Sequence, residues 1–548
     1  MQRRTYEIFV QASMSNRKSR ILVLLLMLLG FGCGGNDHRY PDAPADSRAE
    51  SIVLESRPFE IGSDTYGADF GTITVPENRE KGSSRLISIP FLQVHSHATD
   101  QAEPIFALSG GPGQSNMSWD WWTLGTFLRR HDVVIVGYRG VDGSSVLDLP
   151  EVTEALEAHG DPVSEQSVKA IGRAFAAGAD RLRAEGVDLD GYTMLECIED
   201  NESVRRALGY GRIDLLSASY GTRIAYLYGL RHPDRVFRSA MISVNPPGHF
   251  IWAPATTDAQ LRYYATLWSR DTGMAEKSPD LYATMRTVLT AMPDRWLFFP
   301  IDPGKVRVVT FALLFQRKTA AMVFDAYVAA EHGDPSGLAL MSLAYDHVIP
   351  TMGVWGDFAS KAVSADYDST RNYGAEEDSP DMPLGAPMNR ISWGTLSGGC
   401  WPMKLLPEEF RKLRQSDVQT LLLSGSIDFS TPAEFATQEL LPYLKNGRQV
   451  ILTECGHVED LLYANVDNAR LLLTSFYDTG VPDTSLNAYI PMTFGVSWGF
   501  PIIAKAALAA VALLAIALIA AATWLVRRYR RRRQAKTIGQ LTEVTNAR

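Results

Sequence analysis

Cysteine is scarce in this sequence. Four cysteines in 548 residues are too few for a fold that depends on a disulfide framework. The sequence also lacks clusters of metal-ligating residues, a phosphate-binding glycine loop and a dinucleotide fingerprint. We therefore expect no metal and no cofactor. Internal repeats are absent as well, which argues against solenoids and propellers.

An excess of positive charge is also missing. The formal net charge is −9 at pH 7 although both ends of the chain are basic, so the body between them is more acidic than the whole. Such a body is a poor partner for nucleic acid, and we expect none. The charge mildly favours cationic peptide termini, although solubility alone also explains it.

A serine at the end of an apolar strand is the most informative feature present. Residues 213–222 read IDLLSASYGT and run directly into a predicted helix. This layout predicts a nucleophile elbow, a sharp turn that lifts the hydroxyl of Ser219 above a sheet. The usual motif is Gly-x-Ser-x-Gly, and Ser217 stands in place of its first glycine. Because serine is the next smallest polar residue, we expect the turn to tolerate it.

Two later strand ends carry suitable partners for this serine. Residues 421–428 end in Asp428, and residues 449–457 end in His457. The carboxyl ends of parallel strands meet at one edge of a sheet, and Ser, Asp, His is the chain order of an α/β-hydrolase triad. We expect Ser219 to be the nucleophile, His457 the general base and Asp428 the residue that orients the imidazole. A turn or helix-cap role is the alternative for Asp428.

The same chemistry needs two backbone N–H groups that bind the oxyanion. The amide of Tyr220, directly after the nucleophile, is one candidate. The other is the amide of Gly111, because residues 105–113 form an apolar strand followed by Gly-Gly-Pro-Gly. A simple tight turn is the alternative interpretation of this glycine segment.

Taken together, these stretches resemble the prolyl aminopeptidase and tripeptidyl aminopeptidase branch of the α/β hydrolases. The resemblance covers residues 66–475 and rests on residues 75–79, 110–113 and 137–144, the elbow, Asp428 with Thr431-Pro432, and Gly456-His457. It implies an α/β-hydrolase fold, with a mostly parallel doubly wound sheet, and a peptide substrate. Two departures from the family pattern matter here: Ser109 replaces a histidine, and Gly137 replaces an aspartate that often opens an Asp-x-Arg-Gly-x-Gly-x-Ser loop.

The arrangement of strand and helix signals predicts an interrupted core. Residues 51–246 form the first part of the α/β-hydrolase core, and residues 400–485 form the second. Residues 247–399 between them are predicted to be a helical lid, with helices at 258–268, 281–292 and 319–332. An unrelated second domain is disfavoured, because the sheet pattern resumes afterwards. Residues 34–50 and 486–505 are predicted linkers.

The resemblance also implies that acidic lid residues hold the free α-amino group of a peptide through charge-assisted hydrogen bonds. Asp357, Asp366 and Asp368 are candidates, and no motif singles out one of them; a solvated surface position is the alternative for each. With Cys33 set apart, Cys197, Cys400 and Cys455 leave room for one disulfide. A bridge between Cys400 and Cys455 would brace the loop that carries the histidine.

Both ends of the chain have the features of membrane-associated segments. Residues 1–33 combine basic residues with a short apolar run, which predicts a secretion signal. Cys33 at its end suggests lipidation as in a bacterial lipoprotein, and ordinary cleavage nearby or an uncleaved anchor are the alternatives. Residues 506–526 predict a transmembrane helix, and the basic tail 527–548 predicts that this end stays in the cytoplasm.

The sequence therefore predicts an exported serine hydrolase tethered to the cell membrane, with its catalytic body on the periplasmic or extracellular side. An aminopeptidase that releases proline or short N-terminal fragments from peptides is the leading function. An esterase or lipase with the same triad is the first alternative, because lid and pocket decide the substrate. A non-catalytic hydrolase-fold binding protein is the second.

Overall fold

The computed structural model describes residues 47–158, 160–371, 373, 376 and 381–546. The predicted signal segment with Cys33 lies outside these residues, as does most of the 34–50 linker. Within the described part, a nine-stranded sheet runs through the middle of the molecule. A helical layer covers the edge at which its parallel strands end, and a long helix extends from the C-terminal side.

The sheet has the strand order β1-β2-β3-β5-β4-β6-β7-β10-β11. The first three strands pair antiparallel, and β3 joins β5 antiparallel as well. From β5 to β11 every neighbouring pair is parallel. The strands are β1 Ile52–Ile61, β2 Asp64–Pro76, β3 Leu86–Val94, β4 Ile105–Leu108, β5 Val133–Val136, β6 Ile213–Ala218, β7 Val236–Ile242, β10 Gln419–Gly425 and β11 Gly447–Leu452; a small hairpin adds β8 Arg295–Trp296 and β9 Phe299–Pro300.

The central strands are short and apolar because both of their faces are covered. Every residue of β4, β5 and β6 is buried, which is typical of parallel strands between two helical layers. One face packs against helices α4 and α5, and the other against α1 and α17. These helices are α1 Trp121–Leu124, α4 Met194–Ala207, α5 Tyr220–Arg231 and α17 Val466–Thr479. The predicted doubly wound α/β-hydrolase sheet is confirmed.

Between β7 and β10 the chain forms a layer of helices with a hydrophobic core of its own. The predicted helices at 258–268, 281–292 and 319–332 correspond to α6, α8 and α10. The helices of this segment are α6 Pro254–Arg270, α7 Thr272–Lys277, α8 Leu281–Thr290, α9 Pro303–Leu313, α10 Arg317–Glu331, α11 Ser336–Val348, α12 Trp355–Asp366, α13 Pro387–Leu396 and α14 Glu408–Arg411. Two earlier helices, α2 Pro150–Glu157 and α3 Glu165–Ala184, contribute to the same core, which the sequence pattern did not indicate.

After β10 the chain adds short α15 Ala433–Phe435, α16 Glu459–Tyr463 and α17, and then the long helix α18 Phe500–Asn546. Residues Phe500–Arg533 of α18 are long and apolar enough to cross a membrane. The beginning of this helix is docked on the helical layer: Phe500 and Ile503 are buried, and Lys505 pairs with Asp334 at 2.5 Å. The side chains further along the apolar stretch are exposed.

Candidate active site

Ser219 lies at the junction of β6 and α5 with a strained backbone. Its φ of 51° and ψ of −124° are sterically unfavourable for a residue with a side chain. The turn is so tight that a Cβ at Gly221 would clash with the carbonyl oxygens of Leu108 and Ser109. Glycine is therefore required two residues after the serine, as the elbow motif predicts. The strain lifts the Ser219 hydroxyl out of the strand and into a cavity.

The first position of the motif tolerates serine for a specific reason. Ser217 is still within β6, where its hydroxyl donates a hydrogen bond of 3.1 Å to the carbonyl oxygen of Ala240 in β7. The side chain is fully buried between the two strands, and its polar atom is satisfied there. Ser217 thus points away from the reacting hydroxyl.

The structure brings the three predicted residues together in one chain of hydrogen bonds. The Oγ of Ser219 lies 3.0 Å from Nε2 of His457. On the other side of the ring, Nδ1 of His457 lies 2.9 and 3.0 Å from the two carboxylate oxygens of Asp428. A carboxylate accepts hydrogen bonds, so Nδ1 carries the ring proton, and the lone pair of Nε2 faces the serine.

Asp428 is held in place by the turn that follows β10. The N–H groups of Ser430 and Thr431 donate to its Oδ1 at 3.0 and 2.8 Å, and the Thr431 hydroxyl donates to Oδ2 at 2.9 Å. The Asp428 side chain is completely buried. The turn and orienting roles that the sequence offered as alternatives therefore coexist in this one residue. The sequence indicated Thr431 only as part of a family motif. In the structure its N–H and its hydroxyl both donate hydrogen bonds to the Asp428 carboxylate.

Two opposing effects set the pKa of His457. Burial is the largest single effect, and it lowers the pKa because an imidazolium is poorly solvated inside the protein. The charge and hydrogen bond of Asp428 act in the other direction, with help from the carboxylates of Glu459 and Asp460, and the net pKa is raised above its ordinary value. The carboxylates thus make this histidine a stronger base than burial alone would allow.

The glycine segment after β4 lies directly against Ser219. A Cβ at Gly110 would come within 2.8 Å of the Ser219 Cβ, so only glycine fits there. Gly111 follows with a left-handed φ of 74°. Tyr220 is the first residue of α5, and the first N–H groups of a helix have no carbonyl partner within it. Gly111 and Tyr220, the two predicted oxyanion donors, therefore flank Ser219 on separate elements.

Two buried carboxylates brace this glycine loop from opposite sides. Asp142, from the core, accepts hydrogen bonds from the Asn116 N–H at 2.9 Å and from the Ser115 hydroxyl. Asp357, from α12 of the helical layer, accepts one from the Gly113 N–H at 3.1 Å. Burial raises the pKa of both carboxyl groups above the ordinary value. The loop is thus fixed by the core and by the helical layer together.

The departure from the family pattern at Gly137 has a steric explanation. A Cβ at Gly137 would lie 2.6 Å from the Cβ of Asp142, so the space beside it is already filled. Asp142 occupies a position where the family pattern has glycine, and its Oδ2 accepts a hydrogen bond of 2.9 Å from the Tyr138 N–H. The loop of this chain therefore carries its carboxylate at position 142, whereas the family pattern has it at position 137.

A cavity of about 530 Å³ opens above Ser219 and His457. The helical layer contributes Phe315, Trp355 and Phe358 to its wall, and the glycine loop contributes another side. Two carboxylates that the sequence did not single out also line it: Asp120, the N-cap residue of α1, and Glu459, two residues after the histidine. No spacing motif in the sequence marks either one.

The three acidic lid residues that the sequence offered as candidates for a substrate amine lie elsewhere. Asp357 pairs with the buried Lys361 at 2.7 Å, and Asp366 pairs with the buried Arg223 at 2.9 Å. Asp368 accepts hydrogen bonds from the N–H and hydroxyl of Thr370. None of the three is among the residues that line the cavity of the described structure.

The predicted disulfide is wrong. Cys197, Cys400 and Cys455 are all free thiols. Cys400 packs on the core of the helical layer, where its Sγ lies 3.2 Å from the Thr395 carbonyl oxygen. Cys455 is buried in the hydrophobic cluster on one face of the sheet. The two residues therefore belong to different layers, and proximity of Cys455 to His457 in sequence gave no information about a partner.

The described residues contain no group of three or more His, Cys, Asp or Glu side chains arranged to hold a metal ion. A hydroxyl, an imidazole and a carboxylate in series can perform nucleophilic substitution at a carbonyl group.

Comparison with known proteins agrees with the fold. A family model described as the alpha/beta hydrolase fold matches residues 103–282. Tripeptidyl aminopeptidases from Streptomyces lividans and Streptomyces coelicolor are each 28% identical over 211 residues. That alignment covers 35% of this chain and 38% of the length of those relatives.

Solved structures with a similar chain course include two bacterial hydrolases. A serine hydrolase from Cycloclasticus zankles is 13% identical with a TM-score of 0.32, over 79% of this chain and all of the other. A meta-cleavage product hydrolase from Pseudomonas fluorescens is 12% identical with a TM-score of 0.34, over 72% and 95%. At these scores the likenesses add nothing to the assignment. The family match and the sheet show an α/β-hydrolase fold, and the related sequences show that the chain resembles the aminopeptidase branch.

Proposed function

We propose that this protein is a serine hydrolase of the aminopeptidase type, which releases proline or short N-terminal fragments from peptides. The single observation that carries the proposal is the hydrogen-bonded series from Ser219 through His457 to Asp428, set at a strained elbow beneath a cavity. The peptide preference comes from the partial similarity to the Streptomyces enzymes.

The geometry supports a two-step acyl transfer. His457 Nε2 takes the proton of the Ser219 hydroxyl while Oγ attacks the peptide carbonyl carbon. The resulting oxyanion accepts hydrogen bonds from the amides of Gly111 and Tyr220. His457 then gives its proton to the leaving amine, and the C–N bond breaks. A water molecule, deprotonated by the same imidazole, hydrolyses the acyl-serine ester.

The helical layer supplies the peptide selectivity in this proposal. Residues 247–399 act as the lid that closes the cavity and excludes water. In this proposal Asp120 and Glu459, which line the cavity, hold the α-ammonium group of a peptide, in place of the three lid candidates that the sequence offered. Charge-assisted hydrogen bonds to an amine are strong enough to select free N-termini.

Membrane attachment through residues 506–526 is part of the same proposal. The helix is long and apolar enough to span, and the arginines after it are expected to stay in the cytoplasm. The hydrolase body would then face the periplasm or the outside. Accessibility of an engineered tag after residue 548 to a protease, in intact and in permeabilised cells, tests this orientation.

The function is tested with the full-length protein in detergent and a mixed panel of free and N-acetylated peptides, followed by mass spectrometry. Release of one to three residues only from free N-termini supports an aminopeptidase, and the fragment length defines the subtype. Intact peptides in a sample that hydrolyses short-chain esters would contradict the peptidase proposal and identify an esterase. Ser219→Ala is the control for any contaminating peptidase.

A further inference from the structure

The segment between α17 and α18 is not a free linker. Residues 489–499, here named the strap, run from the surface near the histidine loop to the start of the long C-terminal helix. Two of its side chains, Met492 and Phe494, are buried. The Phe494 ring packs against Trp268 and Phe324 of the helical layer, with ring centroids 5.3 and 6.1 Å apart. The strap is therefore an ordered part of the hydrolase body.

One residue of the histidine loop holds the strap at its first end. Both oxygens of the buried Glu454 carboxylate accept hydrogen bonds from it: Oε1 from the Tyr489 hydroxyl at 2.6 Å, and Oε2 from the Met492 N–H at 2.7 Å. Glu454 lies three residues before His457 and has a left-handed φ of 55°. A glutamate in that conformation is strained, and the surrounding contacts maintain it.

The backbone of this loop also contacts the turn that carries Asp428. The Glu454 N–H donates to the Ser426 hydroxyl at 2.8 Å, and the Ile427 N–H donates to the Cys455 carbonyl oxygen at 3.1 Å. A Cβ at Gly425 would clash with the carbonyl oxygens of Cys455 and Gly456. The turn that carries Asp428 and the loop that carries His457 are therefore held together, and Glu454 lies at their junction.

A second set of contacts ties the strap and the histidine loop to the helical layer. The His457 N–H donates to the Phe315 carbonyl oxygen at 2.7 Å. Arg317, at the start of α10, donates through its guanidinium to the Pro491 carbonyl oxygen at 2.6 Å. Its backbone N–H donates to the Asp460 carboxylate, which also accepts from the Gly456 N–H, both at 2.9 Å. The strap thus closes a ring of contacts around the loop that carries the base.

We propose that the strap is a positioning element for the active site, and that Glu454 is the residue through which it aligns His457 with Ser219. The chain leaves this clamp directly into α18, so the segment predicted to anchor the protein is fastened to the histidine loop and to the lid. Displacement of a catalytic group by about 1 Å can cost 10²-fold in rate, so even a small relaxation of the loop is measurable. The inference rests on the proposed serine mechanism.

The experiment measures the rate at which a fluorophosphonate labels Ser219 in the full-length protein. In that reaction Oγ bonds to phosphorus, fluoride leaves, and His457 takes the hydroxyl proton, so the rate reports the alignment of serine and histidine without a peptide. Glu454→Gln keeps the size of the side chain but loses an acceptor, and we expect labelling to slow about 10- to 100-fold. Tyr489→Phe removes one hydroxyl from a largely exposed ring, and we expect a several-fold loss with an unchanged melting temperature.

Matched controls are Glu409→Gln and Tyr443→Phe, which make the same chemical changes at exposed positions away from the loop. With a cleaved substrate, the loss in Tyr489→Phe is expected in kcat, with KM unchanged, which a general loss of folded protein would not produce. Equal labelling rates in wild type, Glu454→Gln and Tyr489→Phe would overturn the positioning role alone. A wild-type protein that does not label would overturn the serine mechanism and this inference with it.

Discussion

The sheet and the helical layer position their polar residues in different ways. In the sheet, the three residues of the predicted triad follow strand ends, so Ser219, Asp428 and His457 meet because parallel strands end at one edge. In the helical layer, carboxylates lie on helices that are buried on several sides. Asp357 and Asp366 therefore form ion pairs inside the protein and do not face the cavity. The position of a functional residue at a strand end can be predicted from the sequence pattern. Whether a carboxylate on a helix faces a cavity or an ion-pair partner depends on what packs against that helix.

This contrast predicts that core substitutions change the chemical step and that substitutions at the helical layer change stability or substrate selection. The largest effect is expected for Ser219→Ala, which removes the nucleophile. Loss of the serine of such a triad costs about 10⁶-fold in kcat. The matched control is Ser217→Ala, which loses only a buried hydrogen bond to Ala240 and should keep substantial activity. Retained activity in Ser219→Ala, with loss in Ser217→Ala, would mean that the elbow is placed wrongly.

The next largest effect is expected for Asp428→Asn, at about 10⁴-fold in kcat. The wild-type rate should rise with pH as His457 loses its proton, with an apparent pKa above the ordinary histidine value of about 6.5. Removal of the Asp428 charge leaves burial as the main effect on the His457 pKa, so the acid limb of the pH–rate profile should move to lower pH. An acid limb that stays in place would show that another group titrates there.

A smaller effect, on stability, is expected at the contact between the helical layer and the core. Lys361 is fully buried, and its Nζ donates to Asp357 at 2.7 Å and to the Tyr192 carbonyl oxygen at 2.9 Å. Lys361→Met leaves a buried carboxylate without its cation, which typically lowers the free energy of unfolding by about 3–5 kcal/mol. Chemical denaturation measures the change.

The control for that substitution has the same sequence spacing on the surface. Lys412, directly after α14, pairs with Glu408 four residues earlier through exposed side chains, with the same spacing as Lys361 and Asp357. Lys412→Met should leave the denaturation midpoint unchanged, because exposed pairs contribute little. Equal midpoints for Lys361→Met and wild type would contradict a stabilising contact between α12 and the core.

The smallest effect is expected for substrate selection at the cavity rim. Asp120→Asn keeps a good N-cap for α1 and removes a negative charge from the cavity wall. A hydrogen bond to a charged group is worth about 1.5–3 kcal/mol, so KM for peptides with free N-termini should rise about 10- to 100-fold. Labelling by a neutral fluorophosphonate should not change. Unchanged KM values would exclude Asp120 as the amine-binding residue and leave Glu459 to be tested in the same way.

Much of the fold followed from short-range patterns. The alternation of apolar strands and helices predicted the sheet, and the elbow motif located the strained residue at Ser219, because few sequences satisfy a turn that tight. The part of the site that was not predicted depends on distant contacts. Asp120 and Glu459 line the cavity because folding brings their separate segments to its rim. Cys400 and Cys455 form no bridge because they pack in different layers.

The sequence by itself determined the order of Ser219, Asp428 and His457, the apolar strands before them and the glycines at the tight turns, since these depend on local sterics and on hydrophobic burial along the chain. Tertiary structure alone decided which carboxylates face the cavity and which are paired inside. It also decided that residues 489–499 clamp the histidine loop through Glu454. A polar side chain has no intrinsic partner, and its role is set by the groups that folding brings within hydrogen-bonding distance.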